Sequence, residues 1–117
     1  MEDFKSVLVT GASGFIGFHL VNRLAVEGFE IIGLDNINDY YDEDLKYARL
    51  NNQGINKEVV QYAEIIQSKK FDNYQFIKLN LEDKKELDIL FKKNKFDIVI
   101  NLAAQAGVRF SVKNPYA

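Results

Sequence analysis

Residues 6–10 read Ser-Val-Leu-Val-Thr, an apolar, β-branched run without alternation that stops at Gly11. Such a run marks a strand covered on both faces, as in a parallel sheet. Residues 15–27 place apolar side chains at 16, 20, 21 and 24, which is helical spacing, and Gly28 stands where a glycine just past the last turn would end the helix. Residues 29–35 predict a second strand. Strand, helix and strand within 35 residues form a βαβ unit.

The connection over residues 36–73 is too long for a structureless loop, so two helices are expected within it. The first spans 42–51, with Asp42, Glu43 and Asp44 in the turn where the helix dipole favours acids. The second spans 57–68, where Val59, Val60, Ala63 and Ile66 fall near helical spacing, and Gly54 separates the two. Tyr, Phe and Ile content predicts a third strand over 74–79. Leu87, Leu90 and Phe91 share one face of a helix over 83–94, and 96–102 is a fourth strand. Because parallel crossovers are right-handed, this order predicts an α/β fold. The expected architecture is a partial Rossmann-type doubly wound parallel sheet of four strands in the order 3-2-1-4.

A length of 117 residues is one domain on the usual prior, and 47% hydrophobic content with nine Phe and six Tyr supplies a core. Fifteen basic against 17 acidic residues leave a formal charge of −2, which argues against nucleic acid as a partner. The lysine pairs at 69–70, 84–85 and 92–93 have acids interspersed and read as solvated helix faces. Absence of cysteine excludes disulfides, thiolate zinc sites and cysteine nucleophiles. The acids at 39 and 42–44 have no histidine cluster beside them, so no metal site is expected. No basic-then-apolar leader opens the chain, and no apolar run approaches the roughly 20 residues of a membrane span. The expectation is a cytoplasmic protein without a membrane partner.

The chemistry-bearing motif is Gly11-Ala12-Ser13-Gly14-Phe15-Ile16-Gly17, directly after the first strand and opening the first helix. In that context Gly11 allows a tight turn, Gly14 lets a diphosphate approach the helix amides, and Gly17 lets the helix pack closely on the sheet. A helix start is an anion site through its free N–H groups and partial positive charge. A phosphate loop of the Lys-Ser/Thr type is excluded, because Phe18-His19 stand where that pair is needed. Asp35 ends the second strand, 18 residues beyond Gly17. A carboxylate there accepts from ribose hydroxyls and repels a 2′-phosphate, favouring NAD over NADP. Asn80 and Leu81 follow the third strand, and small residues at 103, 104, 106 and 107 follow the fourth. Ligands of open α/β sheets lie beyond these carboxyl ends.

The stretch Val9-Thr10-Gly11-Ala12-Ser13-Gly14-Phe15-Ile16-Gly17 resembles the N-terminus of the extended short-chain dehydrogenase/reductases. Asp35-Asn36-Ile37-Asn38-Asp39-Tyr40-Tyr41 and Asn101-Leu102-Ala103-Ala104-Gln105-Ala106-Gly107-Val108-Arg109-Phe110-Ser111 narrow the likeness to NAD-dependent nucleotide-sugar epimerases, most of all the UDP-glucuronate 4-epimerase branch. The resemblance implies that NAD oxidises C4 of the sugar and returns hydride to its other face. It implies that Gly11, Gly14 and Gly17, with the amides of Phe15 and Ile16, hold the diphosphate. Asp35 would hold the adenosine ribose, with Asn36 and Asn38 lining its loop. Asn80 and Leu81 would meet adenine, while Leu102, Ala103 and Ala104 would flank the nicotinamide. Gln105, Arg109 and Ser111 would face the UDP-sugar. Position 80 is where the family often carries Asp, and the Asn oxygen can still accept from the adenine amino group.

The family's catalytic Tyr-x-x-x-Lys is expected on a helix. Its one spacing match here, Tyr74 to Lys78, falls on a predicted strand, where such positions lie roughly 13 Å apart instead of about 6 Å. No catalytic residue is therefore assigned, and lone His19 inside the first helix reads as structural. The chain reads as the N-terminal part, residues 1–117, of a nucleotide-sugar epimerase whose catalytic part lies elsewhere. It is expected to be inactive alone and to self-associate through the bare edge of its fourth strand. Two alternatives stand beside this: a dehydratase or reductase of the same superfamily, or a non-enzymatic NAD-binding module.

Overall fold

A computed structural model describes residues 5–37 and 43–103. The order of elements is β1 (Ser6–Thr10), α1 (Phe15–Val26), β2 (Glu30–Asp35), α2 (Glu43–Asn52), a 3-10 turn (Lys57–Val59), β3 (Ile65–Gln67), β4 (Tyr74–Lys78), α3 (Lys84–Lys93) and β5 (Ile98–Asn101). The sheet runs β3-β4-β2-β1-β5. Its four parallel strands keep the expected 3-2-1-4 order, with Val7 beside both Ile31 and Ile98 and with Gly33 beside Phe76.

Two features depart from expectation. The sheet has five strands rather than four, because β3 pairs antiparallel with β4 through Ile65–Ile77 and Gln67–Gln75. The helix expected over 57–68 is replaced by that 3-10 turn and this short strand. The apolar spacing does not make a helical face because Val60 and Ile66 pack against one core layer and Ala63 against the other, while Val59 is exposed. Asn56 accepts from the Glu58 N–H, and Ala63 takes a φ of 66°, which no right-handed helix tolerates. The open edge of β4 offered unpaired backbone groups, and the segment satisfies them.

Strand alternation divides the core between two layers. Val7, Val9, Ile31, Tyr74 and Phe76 pack toward Val21 and Ala25 of α1 and toward Leu50 of α2. Leu8, Ile32, Leu34 and Ile77 pack on the other face with Leu90 of α3. Gly28, with φ 94°, closes α1: its N–H bonds the Ala25 carbonyl and the Phe29 N–H bonds that of Leu24. Asp83 caps α3 by accepting from the Glu86 N–H. Among the described residues, no helix is long and apolar enough to cross a membrane.

Candidate functional site

The carboxyl ends of β1, β2, β4 and β5 lie along one side of the sheet, and the glycine turn sits at their centre. Gly11 adopts φ 74°, and a Cβ on it would come within 2.8 Å of the Leu102 carbonyl carbon and the Ala103 nitrogen. Glycine is required here by backbone conformation and by the closeness of the β5 exit alike. A Cβ on Gly17 would collide with the Gly11 carbonyl oxygen and reach within 2.9 Å of Ala12 Cα, so α1 is seated directly on the turn.

Gly14 differs from both. It is the N-cap of α1 at φ −72°, and among the described residues a Cβ there would touch only the Gly11 oxygen at 3.4 Å. The residue keeps space open rather than relieving a clash. Among the described residues no side chain caps this helix, and no acid occupies its first turn. The amides of Phe15, Ile16 and Gly17 therefore lack intrahelical acceptors, and the helix dipole is uncompensated where Phe15 and Ile16 are exposed.

Asp35 is 4% exposed and, among the described residues, is held by three donors. The Ser13 N–H donates to Oδ2 at 3.1 Å, the Ile37 N–H to Oδ1 at 2.8 Å, and the Lys46 ammonium to Oδ1 at 3.1 Å. The carboxylate thus fixes the glycine turn to the loop after β2. Arg49, one turn along α2 from Lys46, donates to the Ser13 carbonyl at 3.1 Å and lies 5.9 Å from the centre of the Phe15 ring. Sequence reasoning missed Lys46 and Arg49, although their i, i+3 spacing on α2 was a signal that both face the same neighbour.

At the neighbouring strand ends, the Leu79 N–H donates to the Asp35 carbonyl, which brings exposed Asn80 and Leu81 beside the β2 exit. Thr10 donates its hydroxyl to Asn101 Oδ1, and the Leu102 N–H donates to the Thr10 carbonyl, joining the ends of β1 and β5. The structure thereby gathers Gly11, Gly14, Phe15, Ile16, Gly17, Asp35, Asn36, Asn80, Leu81, Leu102 and Ala103 on one side of the sheet. Asn38, Ala104, Gln105, Arg109 and Ser111 lie outside the described residues.

Tyr74 and Lys78 do occupy a strand. Tyr74 is fully buried, its hydroxyl has no partner among the described residues, and burial with the Asp35 charge pushes its pKa above the ordinary range. His19 is exposed and stacks edge-on against Phe15 and Phe18, at 4.8 and 5.0 Å between ring centres.

Residues 7–117 match the family described as NAD dependent epimerase/dehydratase. Over 109 residues the chain is 38% identical to a UDP-glucuronate 4-epimerase of Thermodesulfobacterium geofontis, covering 93% of this chain and 29% of that protein. A solved UDP-glucose 4-epimerase of Thermotoga maritima with UDP-glucose superposes with a TM-score of 0.60 at 28% identity, over 86% of this chain and 25% of that one. The NAD complex of Thermus thermophilus UDP-glucose 4-epimerase superposes with a TM-score of 0.55 at 30% identity, over 96% and 28%. The chain spans between 28% and 31% of the length of the first curated relatives it matches.

Proposed function

The chain belongs to the NAD-dependent epimerase/dehydratase family, and from that premise we propose that it is the dinucleotide-holding N-terminal part of a UDP-sugar 4-epimerase acting on UDP-glucuronate. The observation that carries this reading is the uncapped start of α1 at Gly14, open to an anion, beside a buried carboxylate held by the same turn. A diphosphate fits the first feature and a ribose diol the second.

NAD fits the residues present. Gly11, Gly14 and the amides of Phe15, Ile16 and Gly17 would take the diphosphate. Asp35, Asn36 and Asn38 would take the ribose, Asn80 and Leu81 the adenine, and Leu102, Ala103 and Ala104 the nicotinamide side. The chemistry that NAD supplies when bound is reversible hydride transfer at C4 of the sugar. This chain's own part is to bind and orient. Gln105, Arg109 and Ser111 would face the sugar nucleotide, the Arg109 fork suiting a carboxylate or phosphate.

The proton transfer at the sugar hydroxyl needs a phenol and an ammonium close together, and Tyr74 and Lys78 on one strand do not supply that. The 117-residue chain alone is therefore expected to bind NAD and to turn over nothing. Thermal unfolding with saturating NAD, and separately NADP, tests the reading. A ligand at a hundred times its dissociation constant adds about 2.7 kcal/mol to the folded state. A shift with NAD and little with NADP is expected. No shift with either overturns the cofactor assignment, and epimerisation of UDP-glucuronate by this chain overturns the claim of inactivity.

A further inference from the structure

The turn after β4 is tied down by a side chain from the long connection. Tyr62 pairs with Lys78 through an isolated parallel bridge. Its hydroxyl donates to Asp83 Oδ2 at 2.7 Å and accepts from the Asn80 N–H at 3.3 Å. The other Asp83 oxygen accepts from the Glu86 N–H at the start of α3. One phenol thus joins the first residue of the 80–83 turn to its last.

The anchor is held in place at a cost. Next to it, Ala63 sits in the left-handed region at φ 66°, and its N–H bonds the Lys78 carbonyl at 2.8 Å. Such a conformation in a non-glycine residue persists only where neighbours enforce it. Tyr62 is itself 43% exposed, so apolar burial does not explain its placement.

We infer that Tyr62 is a positioning residue for the nucleotide base, holding the Asn80–Leu81 backbone where it reads adenine without itself meeting the cofactor. The inference rests on the proposed NAD site. Adenine offers a ring acceptor and an amino donor on one edge, whereas hypoxanthine presents a ring N–H donor and a carbonyl acceptor there. The Asn80 side-chain amide can turn over and suit either base. The Leu81 backbone N–H, the donor left to face the base because that of Asn80 is given to Tyr62, cannot. Selection of adenine therefore depends on how firmly this turn is held, because a fixed donor facing the wrong base leaves both groups unpaired.

The test compares binding of NAD and nicotinamide hypoxanthine dinucleotide by calorimetry, in the unaltered chain and in Tyr62→Phe. Asp83→Ser is the second variant, since serine still caps α3 but is too short to reach the phenol. The unaltered chain is expected to prefer NAD, and each variant to lose about fivefold of that preference through weaker NAD binding, the scale of one lost hydrogen bond. Full preference in both variants overturns the inference. So does equal weakening toward both dinucleotides, which would mark a purely structural role. NAD binding without preference in the unaltered chain overturns the inference and leaves the cofactor reading standing, whereas failure to bind NAD overturns the reading beneath it.

Discussion

Alanine placed at Gly17 and at Gly14, three residues apart on one turn, is expected to fail in two separate ways. At Gly17 the added methyl meets the Gly11 carbonyl oxygen and Ala12 Cα, backbone atoms that no rotamer change can move aside. Overpacking of this kind costs about 1–3 kcal/mol, and rigid backbone obstacles put Gly17→Ala at the upper end. In a chain of this size about 3 kcal/mol lowers Tm by roughly 12 °C. At Gly14 the methyl meets, among the described residues, a single oxygen at an ordinary 3.4 Å, and the φ of −72° suits alanine. Only the N-cap preference for glycine is lost, about 0.5–1 kcal/mol. The methyl stands, however, where the diphosphate would approach. Urea unfolding with and without saturating NAD separates the two effects. Gly17→Ala should show the large loss without ligand, while Gly14→Ala should unfold near the unaltered midpoint and gain little of the roughly 2.7 kcal/mol that NAD confers. If Gly14→Ala is as unstable as Gly17→Ala, or is stabilised by NAD as fully as the unaltered chain, the assignment of packing to one glycine and ligand access to the other is refuted.

Tyr74→Phe removes a buried hydroxyl with no partner among the described residues and should raise stability by about 1 kcal/mol in urea; a lower midpoint would show that the hydroxyl is satisfied after all. Lys46→Met keeps the side-chain stem but removes the ammonium from Asp35, leaving the Ser13 and Ile37 backbone donors among the described residues, and a loss of about 1–3 kcal/mol is expected from the unfolding midpoint, an unchanged midpoint denying the ion pair any role. The Tyr62 hydrogen bond first, and the Glu86 N–H second, hold the Asp83 pKa below its ordinary 3.8. Its contribution is therefore complete above 3.8 and is lost as pH falls through the lower folded value. Tyr62 is raised above 10.0, by desolvation first and by its bond to Asp83 second, so its contribution is complete below 10.0 and lost above the folded value. Unfolding followed across pH in the unaltered chain and in Tyr62→Phe should differ least at the two extremes; a constant difference from acid to alkali would refute this.

The parallel strands were legible because burial on both faces leaves uninterrupted apolar runs, and the order 3-2-1-4 followed from the handedness of the crossovers. The glycine turn was legible because its spacing fell between a strand and a helix. What escaped was decided by long-range competition. Residues 57–68 carry apolar spacing compatible with a helix, yet the free edge of β4 and the Asn56 turn claimed their backbone. Lys46, Arg49 and Tyr62 are polar residues on exposed-looking stretches, and only the folded chain shows that they meet Asp35, Ser13 and Asp83.

The seat of Gly11 against Leu102 and Ala103 sets the order in which binding competence can arise. The Thr10–Asn101 hydrogen bond closes a separation of 91 residues, and the Ala103 N–H reaches back to the Thr10 hydroxyl across 93. Contacts this distant in sequence form late, since the loop between them must first be closed. The first βα turn is made early in synthesis, but its geometry is completed only when β5 docks beside β1. A ribosome-bound chain should thus hold the nucleotide only after residue 103 has left the exit tunnel, which makes ligand capture a signal that the sheet has been assembled.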